Sequence, residues 1–229
     1  MKQIKIDSLP KFVSHTDDFD IFSDLILYRG QPVQGNLLPS IARREPKRDT
    51  GHKEKNILKQ LRLLGDAMLS SRNTTDLDLL VSAQHYGLST RLLDWTSNPL
   101  IALWFACSDK SDCDAFVYAF EADNFLIEDV YDSDPFQTSA TRAFQPRLNN
   151  PRIVAQDGWF TLHRYSKSVG AFVPLERNPQ AQPLLTEFQI PSAKKLGIVK
   201  SLAYHGISSR TIFPDLEGLC RYLGWKYDV

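Results

Sequence analysis

Seven consecutive residues, Leu100-Ile101-Ala102-Leu103-Trp104-Phe105-Ala106, leave no polar side for water. A helix that is apolar all round has to be buried within the fold. Asn98-Pro99 just before it marks a helix start, with Asn as cap and Pro in the first turn. Around this segment the elements are mixed. Ile26-Leu27-Tyr28, ended by Gly30, reads as a short buried strand, and residues 91–95, 115–120, 153–162 and 186–190 are further strand candidates. The helical spacing of Ile57, Leu61, Leu64 and Met68 predicts an amphipathic helix over roughly 53–71 with those residues inward. A second helix is predicted over about 75–86, capped by Asn73, with Leu77, Leu80 and Ala83 toward the core. Gly87 then stands where a left-handed residue is wanted. Leu196, Val199, Leu202 and Ala203 suggest another helix, and Leu216, Leu219 and Leu223 one more. Residues 31–50 and 121–134 read as loops. Strands and helices that mix without strict alternation favour an α+β domain over a doubly wound sheet. Neither common Gly-rich phosphate loop is present.

A chain of 229 residues suits one large domain, or a domain with a small appendage. Its 27 basic and 27 acidic residues cancel, which argues against a protein held to nucleic acid mainly by phosphate contacts. A local basic run, Arg43, Arg44, Lys47, Arg48, Lys53 and Lys55, keeps a nucleic-acid contact as a minor alternative. The three cysteines form no metal-spaced pair, so a reducing, cytoplasmic setting is expected rather than a disulfide framework. The first residues are polar, unlike a signal peptide, and no run has the length and apolarity to span a bilayer. The five histidines lack ligand spacing, so no metal is expected. A hydrolase elbow of the Gly-x-Ser-x-Gly type is missing too.

Chemistry concentrates in His85-Tyr86-Gly87-Leu88-Ser89-Thr90-Arg91-Leu92-Leu93-Asp94-Trp95-Thr96, a polar and aromatic stretch held between two apolar helices. Polar groups kept against a core must be satisfied or used. Ser89, Thr90, Asp94 and Thr96 could be turn and cap residues, and Arg91 could pair with Asp94. Arg29 is the second focus. Its fork of donors suits phosphate or carboxylate, and Gly30 would let a ligand come close. The alternative is an Arg29 paired with an internal carboxylate such as Asp94.

Tyr28-Arg29-Gly30, the residues from His85 to Thr96, Pro99 and Ala102-Leu103-Trp104-Phe105-Ala106 together resemble the FRG domain, a bacterial domain named for its (Phe/Tyr)-Arg-Gly motif. Arg152-Ile153-Val154-Ala155-Gln156-Asp157-Gly158-Trp159-Phe160 and Ile212-Phe213-Pro214-Asp215-Leu216-Glu217-Gly218-Leu219 extend the likeness. It implies one domain over residues 1–229, with its core at roughly 21–223. The family's motif order is similar to that of ADP-ribosyltransferases, which implies a split mixed or antiparallel sheet flanked by helices. The family often occurs in contexts suggestive of phage defence.

What the resemblance implies for chemistry is the use of NAD. Arg29 would bind a phosphate, with Tyr28, Gly30, Thr90, Arg91 and Thr96 around the ligand. Tyr86 or Trp95 would stack on a flat ring. Loss of nicotinamide leaves an oxocarbenium-like sugar, which a carboxylate stabilises. Asp94 or Glu187 is the candidate, whereas Gln156 could only hydrogen-bond. His85 could act as acid or base, or simply end its helix bonded to backbone. Glu187, alternating with Phe188, reads as solvent-facing. A macromolecular acceptor is open, and a nucleotide-binding module without chemistry is the main alternative.

Overall fold

The computed structural model describes residues 1–19, 23–69, 74–127 and 129–229. The chain begins with β1 (Lys2–Lys5), α1 (Leu9–Asp17), β2 (Ile26–Gln31), α2 (Gly51–Gly65), α3 (Asp76–His85), β3 (Leu92–Thr96), α4 (Pro99–Cys107) and β4 (Ala115–Glu121). It continues with β5 (Arg142–Phe144), α5 (Pro151–Ala155), β6 (Gly158–Leu162), β7 (Tyr165–Ser166), β8 (Ala171–Phe172), β9 (Leu185–Ile190), α6 (Ser192–Tyr204), α7 (Ser209–Ile212) and α8 (Leu216–Tyr227). Seven strands form one mixed sheet in the order β1-β9-β4-β2-β3-β6-β5, and β7 and β8 make a small hairpin. β1 runs parallel to β9, and the remaining ladders are antiparallel. The α+β reading therefore holds.

α4 forms where its signals place it. Asn98 Oδ1 accepts from the N–H groups of Leu100 and Ile101, and Pro99 occupies the first turn. Its Ile101, Ala102, Leu103, Ala106 and Cys107 are buried. Ala102, Leu103 and Ala106 join Leu9 and Phe12 of α1, Ile198 and Leu202 of α6, and Tyr28, Val117 and Phe188 of the sheet in one core. The opposite sheet face carries Leu27, Leu93, Trp95, Phe116, Tyr118 and Phe120, and the long loop after β2 covers it through Leu37. α3 is capped by a reciprocal Thr75–Asp78 box, and Asn73 lies outside the described residues. Gly87 has φ of +90° and the Leu88 N–H returns to the Ala83 carbonyl at 2.9 Å, the expected left-handed helix end.

Two sequence readings need correction. α2 buries Glu54, Leu58 and Gly65, with Leu61 half-buried, rather than Ile57, Leu64 and Met68; Met68 is 87 % exposed. The helix is rotated because Glu54 turns inward to meet Arg91. Residues 153–162 are not one strand. Asn150 and Pro151 start α5, Asp157 turns the chain with φ of +46°, and only Gly158–Leu162 is extended. α6 forms where Leu196, Val199, Leu202 and Ala203 suggested a helix; in it Lys195 is buried and Leu196 exposed, and the Lys195 ammonium reaches the Ser111 carbonyl at 2.9 Å. α8 forms where Leu216, Leu219 and Leu223 suggested a helix, with all three exposed.

Candidate functional site

The sheet has a seam. β2 pairs with β4 along all six of its residues, yet with β3 only through Tyr28 and Thr96. Next along β2 comes Arg29, which reaches over to β3. Its Nη1 donates to the Asp94 backbone carbonyl at 2.7 Å and stands 3.7 Å from Asp94 Oδ2. Burial pulls the guanidinium below its ordinary value, and the Asp94 carboxylate opposes this. Arg29 Nε is buried with no hydrogen-bond partner among the described residues. That leaves the Nε edge of the fork open toward the face beneath the long loop.

Three strands place Glu187 on that same face. Arg29 faces Tyr118, Tyr118 faces Glu187 and Glu187 faces Gln3, each in register. Directly opposed residues share a face. At a strand spacing of about 4.8 Å, Arg29 and Glu187 start about 10 Å apart. Glu187 is only 3 % exposed, which overturns the solvent-facing reading. β9 lies between β1 and β4, and Gln34 of the loop after β2 reaches over Glu187, so this residue is shut from water while Gln189 on the same face stays half-buried. Glu187 Oε1 accepts from Gln3 Nε2 at 3.0 Å, and Gln34 Nε2 donates to both carboxylate oxygens at 3.3 and 3.2 Å. Burial, and then the neighbouring Glu187 charge, push the Tyr118 hydroxyl well above its ordinary value.

On the β3 side, the Trp95 indole N–H donates to Thr161 Oγ1 at 2.9 Å, and Thr161 Oγ1 lies 3.0 Å from His163 Nε2. Burial, then the charge of Arg29, pull His163 from 6.5 down to about 3. Between those values the unfolded chain takes up a proton that the folded chain refuses, so stability falls as pH drops from 6.5 toward 3. The slope approaches ~1.4 kcal/mol per pH unit from this one group. Urea unfolding from pH 7 to 4 should show it, and His163→Asn should flatten it. An unchanged slope would mean that the folded protein protonates the ring.

His85, Asp94 and Gln156 gather elsewhere, with Gln84 and Trp159, around a cleft of about 70 Å³. That is room for about two waters, too little for a nucleotide. Asp94 is 59 % exposed along its side chain and accepts from Gln84 Nε2 at 2.6 Å. Gln156 ends α5 and donates to the Ile212 carbonyl at 3.3 Å. Burial, then Arg152, hold His85 below its ordinary value. A wider recess of about 540 Å³ runs along Thr16, Asp17, Ser97, Asn98 and Asp157, but its two carboxylates disfavour phosphate.

The structure sets the remaining candidates apart. Arg91 pairs with Glu54, not Asp94, through Nε–Oε2 and Nη2–Oε1 contacts of 3.0 and 2.8 Å. Thr90 bonds Gln84, and its hydroxyl oxygen accepts from the Leu92 N–H. Thr96 accepts from the Asn98 N–H as a turn residue. Tyr28 packs on the α4 face, away from Arg29. Tyr86 is 85 % exposed beside His85, and Trp95 is buried. Gly30 admits α4 rather than a ligand. A Cβ there would stand 1.8 Å from the Ala102 carbonyl oxygen.

Sequence reasoning passed over Tyr118, His163, Gln31 and Gln34. Tyr118 had a signal, since it alternates with Val117 and Ala119 in a recognised strand. The glutamines had none.

The architecture defines an α+β domain built on a mixed, seamed sheet with helices packed against it. Residues 24–115 match the family model of the FRG domain. The matched stretch runs from the strand bearing Arg29 to the first residue of β4. Comparison with curated proteins gives no match, and neither does comparison with solved structures. Among the described residues, no helix is long and apolar enough to cross a membrane.

Proposed function

We propose that the domain binds a nucleotide through Arg29 and acts on NAD in the manner of ADP-ribosyltransferases, with Glu187 as its carboxylate. One observation carries the reading. Arg29 and Glu187 stand in a single register row on one buried face, and the Nε of Arg29 has no hydrogen-bond partner among the described residues. A guanidinium edge is a planar pair of donors suited to a phosphate. Glu187, about 10 Å along the row, stands where the sugar of a phosphate-anchored nucleotide would reach. Breaking the bond to nicotinamide leaves positive charge on that sugar, and the electron pair departs with nicotinamide. A buried carboxylate steadies such charge strongly, because little water screens it. Tyr118 stays protonated between the two, a neutral donor at working pH. Entry requires the loop after β2 to lift. It is held by the Gln34–Glu187 bonds, by Leu37 N–H on Glu176 Oε2 at 3.0 Å and by Ile41 N–H on the Thr90 carbonyl at 3.4 Å.

The assay is nicotinamide release from NAD, with ADP-ribose binding by calorimetry. Glu187→Gln keeps the shape and should lower release by ~100-fold or more while ADP-ribose still binds. Arg29→Lys should weaken ADP-ribose by at least ~10-fold, since a point charge replaces a fork. The second reading is a binding module without chemistry. It is favoured by the two glutamines that already occupy the Glu187 oxygens. Binding of ADP-ribose with no nicotinamide release would decide for it.

A further inference from the structure

Three buried side-chain atoms have no hydrogen-bond partner among the described residues: Arg29 Nε, Gln31 Oε1 and His163 Nδ1. Buried polar atoms are ordinarily matched, so each needs a reason. Gln31 follows Arg29 by two residues on β2, so both point to one sheet face. His163 stands just past the end of β6, two residues after Thr161, which lies opposite Leu93 on the sheet face that also carries Trp95, Tyr118 and Arg29.

The proton on His163 can be placed from its neighbours. Trp95 Nε1 can only donate, so Thr161 Oγ1 accepts. The hydroxyl has one proton of its own, and its other contact is His163 Nε2. Donation from Thr161 to Nε2 is the arrangement that matches the hydroxyl proton and leaves fewest buried atoms unpaired, and it puts the proton of the neutral ring on Nδ1. Nδ1–H is then a buried donor without an acceptor, as Arg29 Nε–H is. Gln31 Oε1 is an acceptor without a donor.

We infer that His163 is a second binding residue of this site, donating from Nδ1 to the same phosphate that Arg29 holds, with Gln31 accepting from a hydroxyl of the attached sugar. The inference rests on the nucleotide reading above and narrows its ligand to a sugar phosphate, which presents oxyanion and hydroxyl together. Two buried, unmatched donors on one sheet face suit an oxyanion, and an unmatched acceptor on the same face suits a hydroxyl. Trp95 and Thr161 are positioning residues in this scheme: they fix the ring and its tautomer without touching ligand.

The test is calorimetry of ADP-ribose with the wild type, Arg29→Lys, His163→Leu and His163→Asn, each checked for folding by thermal melting. The Asn amide nitrogen sits near the place of Nδ1, whereas Leu offers no donor. His163→Leu should weaken ADP-ribose by ~10- to 100-fold, and His163→Asn should recover most of that loss. In the wild type labelled with nitrogen-15 at histidine, one ring should be protonated at Nδ1, and that resonance should move on adding ADP-ribose. If the wild type gives no heat with ADP-ribose, the nucleotide reading falls and this inference with it. If ADP-ribose binds, Arg29→Lys weakens it and folded His163→Leu binds like wild type, the inference alone is overturned. Should His163→Leu fail to fold, the wild-type resonance decides: a shift supports direct contact, and an unmoved Nδ1–H signal overturns it.

Discussion

Replacing Glu54 with alanine is expected to destabilise the fold by about 3–5 kcal/mol, the range for breaking one side of a buried ion pair. Glu54 and Arg91 have side chains 2 % and 3 % exposed. Glu54 holds two bonds from the Arg91 guanidinium and one from Thr50 Oγ1 at 2.7 Å, and Arg91 also lies 4.4 Å from the Phe136 ring centroid. Removing the carboxylate strands a guanidinium that water cannot reach. The penalty is mainly that of the abandoned charge, not the net worth of the pair. Replacing both residues together, as Glu54→Leu with Arg91→Met, should therefore recover much of the loss. Urea unfolding measures this as a lower midpoint with little change in slope. A single variant as stable as wild type would mean that solvent enters the pair. ADP-ribose affinity of the folded Glu54→Ala fraction should stay near wild type, which separates an anchor of α2 from a ligand group.

Gly30→Ala is the second large effect expected, a loss of about 3 kcal/mol, the upper end of ordinary overpacking. The new Cβ would meet the Ala102 carbonyl oxygen at 1.8 Å and the Ala106 nitrogen at 2.7 Å, both backbone atoms of α4. No rotamer change relieves a clash with a helix backbone, so α4 must move off β2. For a chain of this size the melting temperature should fall by roughly 6–12 °C. A ligand-clearance role would give another outcome, full stability with lost nucleotide binding. The strength of the two results lies in their opposition.

Local signals in the sequence were dependable where the chain's own neighbours decide structure. Asn98-Pro99 and Gly87 each mark a helix end that the fold contains. Asn150-Pro151 carries the same start signal as Asn98-Pro99, and α5 obeys it, although the apolar residues after it suggested a strand. Facing directions were harder. The stripe of α2 was read from apolar spacing, but a charged residue lies on its buried side because a distant arginine waits there. Glu187 was misjudged for a similar reason. Alternation along β9 correctly pairs it with Gln189, yet which side is wet depends on β1, a polar strand from the far end of the chain. Arg29 was legible from residue type and position. The seam it spans was not, because one pair between β2 and β3 is a matter of strand divergence, not of either sequence alone.

That single pair gives Arg29 a mechanical meaning. Past Tyr28 and Thr96, the two half-sheets are braced by a guanidinium on the Asp94 carbonyl instead of by the ladder. Arg29 is a strut as well as the proposed ligand group, and shortening it would unzip a joint along with emptying that proposed site. Changes at this position will therefore register in the amide exchange of β3 as well as in nucleotide affinity.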